Sequence, residues 1–114
     1  MTAFEGEPDI KAEVRFSTTL EGGRNGPVCT NYRPCHDMGI DGMLNDGKHE
    51  FVDREWVALG DTVVSRIRFL VPEYQAGRLY EGMPFTIQEG SKIVGRGRVI
   101  RILNPALNLS ETPK

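Results

Sequence analysis

The side chains able to do chemistry in this chain are concentrated between Cys29 and His49. Cys29, Cys35, His36 and His49 are all potential zinc ligands, but a structural zinc site draws on closely spaced Cys-x-x-Cys arms, and this spacing supplies none. Asp37, Asp41 and Asn45 loosely resemble a calcium loop, yet Lys48 stands where that loop needs its bidentate Glu. A Cys35–His36 nucleophile pair fails for another reason. Neighbours along a strand point to opposite faces, and no third group is placed to orient the base. A Gly-x-x-x-x-Gly-Lys-Ser/Thr loop to cradle phosphates is also missing, so GTP binding is not expected of this chain. No catalytic site, metal or cofactor is expected, and the chain reads as a non-enzyme.

The remaining candidates are cations and aromatics. Arg66, Arg68, Arg96, Arg98 and Arg101 form either a basic stripe across neighbouring strands or a solvated face balanced by carboxylates; the second is the ordinary state of a half-buried strand. Trp56 and Tyr80 are candidate binding aromatics. A lone Trp in a small domain more often packs inward, so Phe51, Trp56 and Val57 are expected as core anchors.

Strands must position these groups. Phe85 to Ile87 and Ile93 to Leu103 flank Gln88-Glu89-Gly90-Ser91, a hairpin in which Gly90 supplies the positive φ of a tight reversal. In its second run Gly95 and Gly97 alternate with Arg96 and Arg98, leaving a bare face onto which another part of the chain must pack. Ile10, Ala12, Val14 and Phe16 alternate with polar residues, as do Val63, Ser65, Ile67, Phe69 and Val71 within Thr62 to Val71. Val28 to Tyr32 reads as a short strand stopped by Arg33-Pro34. The stretch from His36 to Gly47, with its Asp-Gly pairs, reads as one or two tight turns around Met43-Leu44. No segment keeps a helical period.

Thirteen Gly and seven Pro in 114 residues imply many turns and favour an all-β fold. A chain of this length forms one domain with its own core. It is expected to comprise a flexible lead-in over 1–8, a β-barrel over 9–104 and a polar tail over 105–114. The formal net charge of -2 argues against a globally basic nucleic-acid binder. With no apolar run long enough to span a bilayer and no signal-peptide pattern at Met1, the protein is expected in the cytoplasm, off membranes, with both cysteines as free thiols.

Several motifs stand in a telling order: Glu21-Gly22-Gly23-Arg24, Pro27-Val28, Asn31-Tyr32-Arg33-Pro34, Leu59-Gly60-Asp61, Phe85-Thr86-Ile87-Gln88-Glu89-Gly90 and Val94-Gly95-Arg96-Gly97-Arg98-Val99. Together they resemble the C-terminal β-barrel, the third domain, of translation elongation factor Tu, over roughly Asp9 to Leu103. The resemblance implies a six-stranded antiparallel Greek-key barrel without the GTPase domain. It also implies two roles. As a stand-alone copy, the barrel would be a translation-related protein-binding module that docks on a GTPase-like domain or on itself, with Leu79, Tyr80, Met83 and the Met38 to Leu44 segment as the places to look. Alternatively it would be an RNA-binding module for a tRNA T-stem, with Arg24, Glu89 and Gly90 matching tRNA-contacting positions and Cys35 standing where the family has a glutamine. After Pro34 the chain departs from the family pattern. A Gly-Gly-Arg loop can also be a plain turn whose arginine pairs with a nearby carboxylate.

Overall fold

The computed structural model describes residues 6–109, and eight strands run through them: β1 (Ile10–Phe16), β2 (Val28–Cys29), β3 (Cys35–Asp37), β4 (Leu44–Phe51), β5 (Trp56–Val57), β6 (Thr62–Phe69), β7 (Pro84–Glu89) and β8 (Lys92–Ile102). Six of them close into an antiparallel barrel in the order β1-β6-β4-β3-β7-β8, while β2 and β5 pair beside it. β3, β4 and β6 are successive neighbours; β1 lies beside β6 and β7 crosses to lie beside β3, which makes two overlapping Greek-key connections. The closed wall leaves none of the six with a free edge.

Closure depends on the two strand glycines. Gly97 stands opposite Val14 and Phe85, and a Cβ on it would lie 2.4 Å from Phe85 Cζ and 2.9 Å from Val14 Cγ1. A Cβ on Gly95 would lie 2.9 Å from the Arg15 carbonyl oxygen. The bare face seen in the sequence is therefore filled by β1 and β7. Asp9 fastens the two ends of the barrel strands: its carboxylate accepts from the Phe69 amide at 2.8 Å and the Asn104 side chain at 2.9 Å.

β1 buries the alternating residues expected of it, and β6 does so from Val63 to Phe69; the expected strand Thr62 to Val71 stops at Phe69, because Val71 leaves the sheet to lead into the Pro72–Gln75 turn and is only partly buried. The expected turns between His36 and Gly47 are instead β3, a short connection and the first half of β4. That segment looked like a loop because β4 points polar groups inward: Asn45, Gly47 and His49 are all buried. The Asn45 amide donates to the Val71 carbonyl and to Gln75 Oε1, and its oxygen accepts from the Val71 amide. Gly47 makes room for a ring, since a Cβ there would lie 2.8 Å from His36 Cε1.

That ring belongs to a polar line through the core. His36 Nε2 lies 2.8 Å from His49 Nε2, His36 Nδ1 lies 3.0 Å from the Asn45 carbonyl oxygen, and His49 Nδ1 lies 2.9 Å from Ser65 Oγ. A carbonyl only accepts, so His36 carries its proton on Nδ1; its Nε2 must then accept from His49, whose Nδ1 accepts from the Ser65 hydroxyl. One proton arrangement satisfies every atom. Phe16, Phe51, Phe69 and Phe85 surround the pair.

Beyond β6, a 3-10 turn at Pro72–Gln75 leads to Leu79 and Met83, which enter the hydrophobic core with Leu107. Past Asn104 the chain stays packed through the turn Pro105–Leu107, and Leu107 accepts from the Leu79 amide at 2.9 Å. Residues 1–5 of the expected lead-in and 110–114 of the expected tail lie outside the described residues.

Both imidazoles are held neutral. Burial pushes His36 down to about 4, against the smaller pull of the Asn45 carbonyl and the Asp46 charge. Burial, then the neighbouring His36, hold His49 well below its ordinary value. The unfolded chain therefore takes up these protons first, near pH ~6.5, so the contribution is complete above that value and is lost as the pH falls. Urea midpoints should drop between about pH 6.5 and 4, and the paired replacement His36→Leu with His49→Leu should flatten that slope; His49→Ala alone should cost about 2–4 kcal/mol by leaving His36 Nε2 unpaired. An unchanged slope in the paired variant would contradict this.

Candidate functional site

The loop after β1 is shaped by two residues. Glu21 receives Arg15 through both guanidinium nitrogens at 3.0 and 3.2 Å and the Thr18 amide at 2.9 Å. The Arg15 hydrogen bonds, followed by the Thr18 amide, bring its carboxyl down to about 2. Gly23 is buried against the preceding turn, where a Cβ would lie 2.2 Å from the Ser17 carbonyl oxygen. No other residue fits there without moving the backbone. This close approach presents Arg24.

Arg24 is held by three neighbours within the molecule. Its Nε lies 3.0 Å from Glu89 Oε2, its Nη1 donates to the Pro27 carbonyl at 3.1 Å, and its guanidinium carbon sits 4.9 Å from the centre of the Tyr32 ring. The Tyr32 hydroxyl donates to the same Glu89 oxygen at 2.5 Å. Burial first, then this carboxylate, hold the Tyr32 phenol far above its ordinary range. A half-exposed ion pair and a cation–π contact each contribute about 0.5–1 kcal/mol, enough to fix the loop on the hairpin but not the fold as a whole.

Tyr32 is itself placed by the core. Its carbonyl accepts from the His49 amide at 2.8 Å, and its ring meets Phe16 edge-on at 5.8 Å. Asn31 takes a φ of 76° and donates its amide to the His49 carbonyl, so the expected strand Val28 to Tyr32 ends after Cys29. β2 then pairs Val28 with Val57 and Cys29 with Trp56.

Trp56 corrects the sequence expectation. β5 has only two residues; Val57 takes the buried side, and Trp56 is turned outward with 57% of its surface exposed. With Arg24, Pro27, Asn31 and Tyr32 it lines a shallow depression of about 400 Å³. The sequence carries one signal that could have found this: the short spacing between Trp56 and the Leu59-Gly60-Asp61 turn limits β5 to a brief pairing.

The four residues matched to RNA contacts fall in one neighbourhood with unequal readiness. Arg24 and Glu89 neutralise each other. Gly90, with a φ of 61°, sits in the two-residue turn Gly90–Ser91 between Glu89 and Lys92, with open space where a side chain would be. Cys35 pairs across the sheet with Gln88 and donates its thiol to Asp46 Oδ1 at 2.9 Å. That hydrogen bond, then burial, push the thiol up to about 11, so it stays protonated near neutral pH.

Of the residues expected on a protein-docking patch, Leu79 is 0% exposed and Met83 is buried, because the crossing from β6 to β7 fills the core with them. Only Tyr80 offers its side chain to solvent. In the Met38 to Leu44 segment Met38 is buried and Leu44 exposed. The calcium-like residues have separate duties: Asp37 accepts from the Gly39 amide, Asp41 pairs with Arg78 at 3.0 Å, and Asn45 is in the core. His36 and His49 meet inside the barrel while Cys35 faces away from them, and no group of three or more metal-binding side chains exists among the described residues. No helix among these residues is long and apolar enough to cross a membrane.

No protein-family model matches the chain.

Gly23→Ala should destabilise the protein by about 1–3 kcal/mol in urea unfolding, since the backbone oxygen it meets cannot rotate away. Gly26→Ala, where nothing lies within 4 Å, should leave the midpoint within experimental error.

Proposed function

We propose that the chain is a non-catalytic binding module, an elongation factor Tu third-domain-like barrel that docks on a protein partner in a cytoplasmic, translation-related setting. The observation that carries this reading is the surface made by Trp56, Tyr32 and Arg24. Tryptophan, tyrosine and arginine are the residues most enriched where interface energy concentrates, because they combine large apolar area with few rotatable bonds or a rigid donor fork. Here the arginine and tyrosine are already locked by Glu89, so little ordering remains to oppose docking. The exposed indole is the anchor. A GTPase-like domain or a second copy of the barrel is the partner class that the resemblance favours.

The RNA reading is weaker on the same geometry. A phosphate contact draws on guanidinium charge, and the charge of Arg24 is already balanced by Glu89 while its Nε and one Nη1 hydrogen are engaged by Glu89 and the Pro27 carbonyl. Binding at Gly90 would rest on a backbone amide alone.

Two measurements decide between them. Immobilised protein should retain a partner from cytoplasmic extract and lose it with Trp56→Ala, an anchor truncation expected to cost about 2 kcal/mol or more of binding. Titration with bulk tRNA at low salt should show no saturable binding. Salt-sensitive tRNA binding abolished by Arg24→Ala, with capture indifferent to Trp56, would overturn the proposal.

A further inference from the structure

The outer wall formed by β6, β1 and β8 carries a charge arrangement that works against the stability of the free protein. β1 and β6 contribute two Lys or Arg each and β8 contributes four, against a single carboxylate of their own, Glu13. The rest of the molecule more than offsets this, because the whole chain has a formal net charge of -2. Antiparallel register sets Arg66 opposite Lys11 and Lys11 opposite Arg101, so three cations form one row across three strands. Arg15 likewise stands opposite Arg96. Like charges directly opposed on neighbouring strands are destabilising.

Part of this charge is answered locally. Glu13 lies 3.3 Å from Arg98, Glu21 holds Arg15 at 3.0 Å, and Glu50 reaches Arg66 only at 3.9 Å. Among the described residues Lys11, Arg96 and Arg101 have no carboxylate within salt-bridge distance. An anionic occupant would relieve this row.

The same wall is grooved and partly apolar. Two depressions of about 390 and 200 Å³ adjoin at Glu13 and Thr62. The larger has Val52, Val64 and Ile100 in its lining with Lys11 beside them, and its one further ion pair, Asp53 with Arg54, is internally balanced. Ile100 faces outward by alternation with the buried Val99, and β8 bulges just beyond it: Ala12 pairs with Val99 and Lys11 with Arg101, leaving Ile100 without a partner across the sheet. The smaller depression is walled by Arg15, Arg96 and Arg98.

We propose that this groove binds an acidic, extended segment of a protein partner, placing an apolar side chain against Val52, Val64 and Ile100 and a carboxylate at Arg96. A phosphodiester chain matches the cations but not the apolar floor, and the lining holds no aromatic ring on which a base would stack. The overall negative charge also opposes the approach of a long polyanion. This surface shares no lining residue with the Trp56 depression, so it stands or falls separately.

The test is fluorescence anisotropy of a labelled short peptide alternating Leu and Glu, titrated with the full chain. The expected result is saturable, salt-sensitive binding that falls about tenfold or more in Lys11→Glu and in Arg96→Glu, falls in Ile100→Asp, and is unchanged in Trp56→Ala. Lys11→Glu should at the same time raise the thermal midpoint, because it breaks the row of like charges; lower affinity with higher stability separates loss of a binding group from loss of fold. The proposal is overturned by any of four results: no peptide binding up to about 1 mM, equal binding of a Ser/Glu peptide, tighter binding of oligouridylate than of the peptide, or affinity indifferent to Lys11→Glu.

Discussion

Two imidazoles can be buried against each other in this barrel only if both are neutral and their protons run in one direction. The Asn45 carbonyl sets that direction by demanding a donor from His36, and the line then passes through His49 to Ser65. Most of the surrounding wall is arranged around this demand. Gly47 gives up its side chain to the His36 ring, and β3, β4 and β6 must keep their register for the three groups to meet. The consequence reaches the surface. His49 also fixes Asn31 and Tyr32 through its backbone carbonyl and amide, and Tyr32 then holds Glu89, which holds Arg24. One residue thus gives its ring to the core and its backbone to the candidate docking surface.

How much of this was legible in the sequence depends on what each position buries. β1, β6 and the hairpin of β7 and β8 were readable because apolar and polar residues alternate along them, and because two strand glycines announce close approach. β3 and β4 were not. Their inward positions are His36, Asn45, Gly47, His49 and Phe51, and the first three of β4 break its hydrophobic period while Asp46-Gly47 imitates a turn. The glycine serves packing against a ring instead of a positive φ, a distinction that one sequence does not carry. Leu79 and Met83, expected on a docking patch of a stand-alone barrel, instead lie in the core, because the chain between β6 and β7 turns them inward.

The site was half legible. The resemblance matches Arg24, Glu89, Gly90 and Cys35 to positions at an RNA surface, and the fold brings the four side by side. Their chemistry was less readable, because the pairing of Arg24 with Glu89 depends on Tyr32, which bridges them from a third segment. A lone Trp in a small domain is expected inward, but a two-residue β5 gives only one inward position, and Val57 occupies it. Charge followed the same logic. The arginines read as a balanced face are balanced only in part, since the register opposes Lys11 to Arg66 and Arg101.

Trp56 is the one tryptophan of the chain, so it reports directly on the claim that its surface is where a partner sits. The most direct measurement is its intrinsic emission and acrylamide quenching, first for the free protein and then for the complex with whatever protein the barrel retains. The account predicts red-shifted, readily quenched emission when free, shifting to the blue and becoming protected in the complex. Emission and quenching that stay the same on complex formation would contradict it and place the contact elsewhere on the barrel.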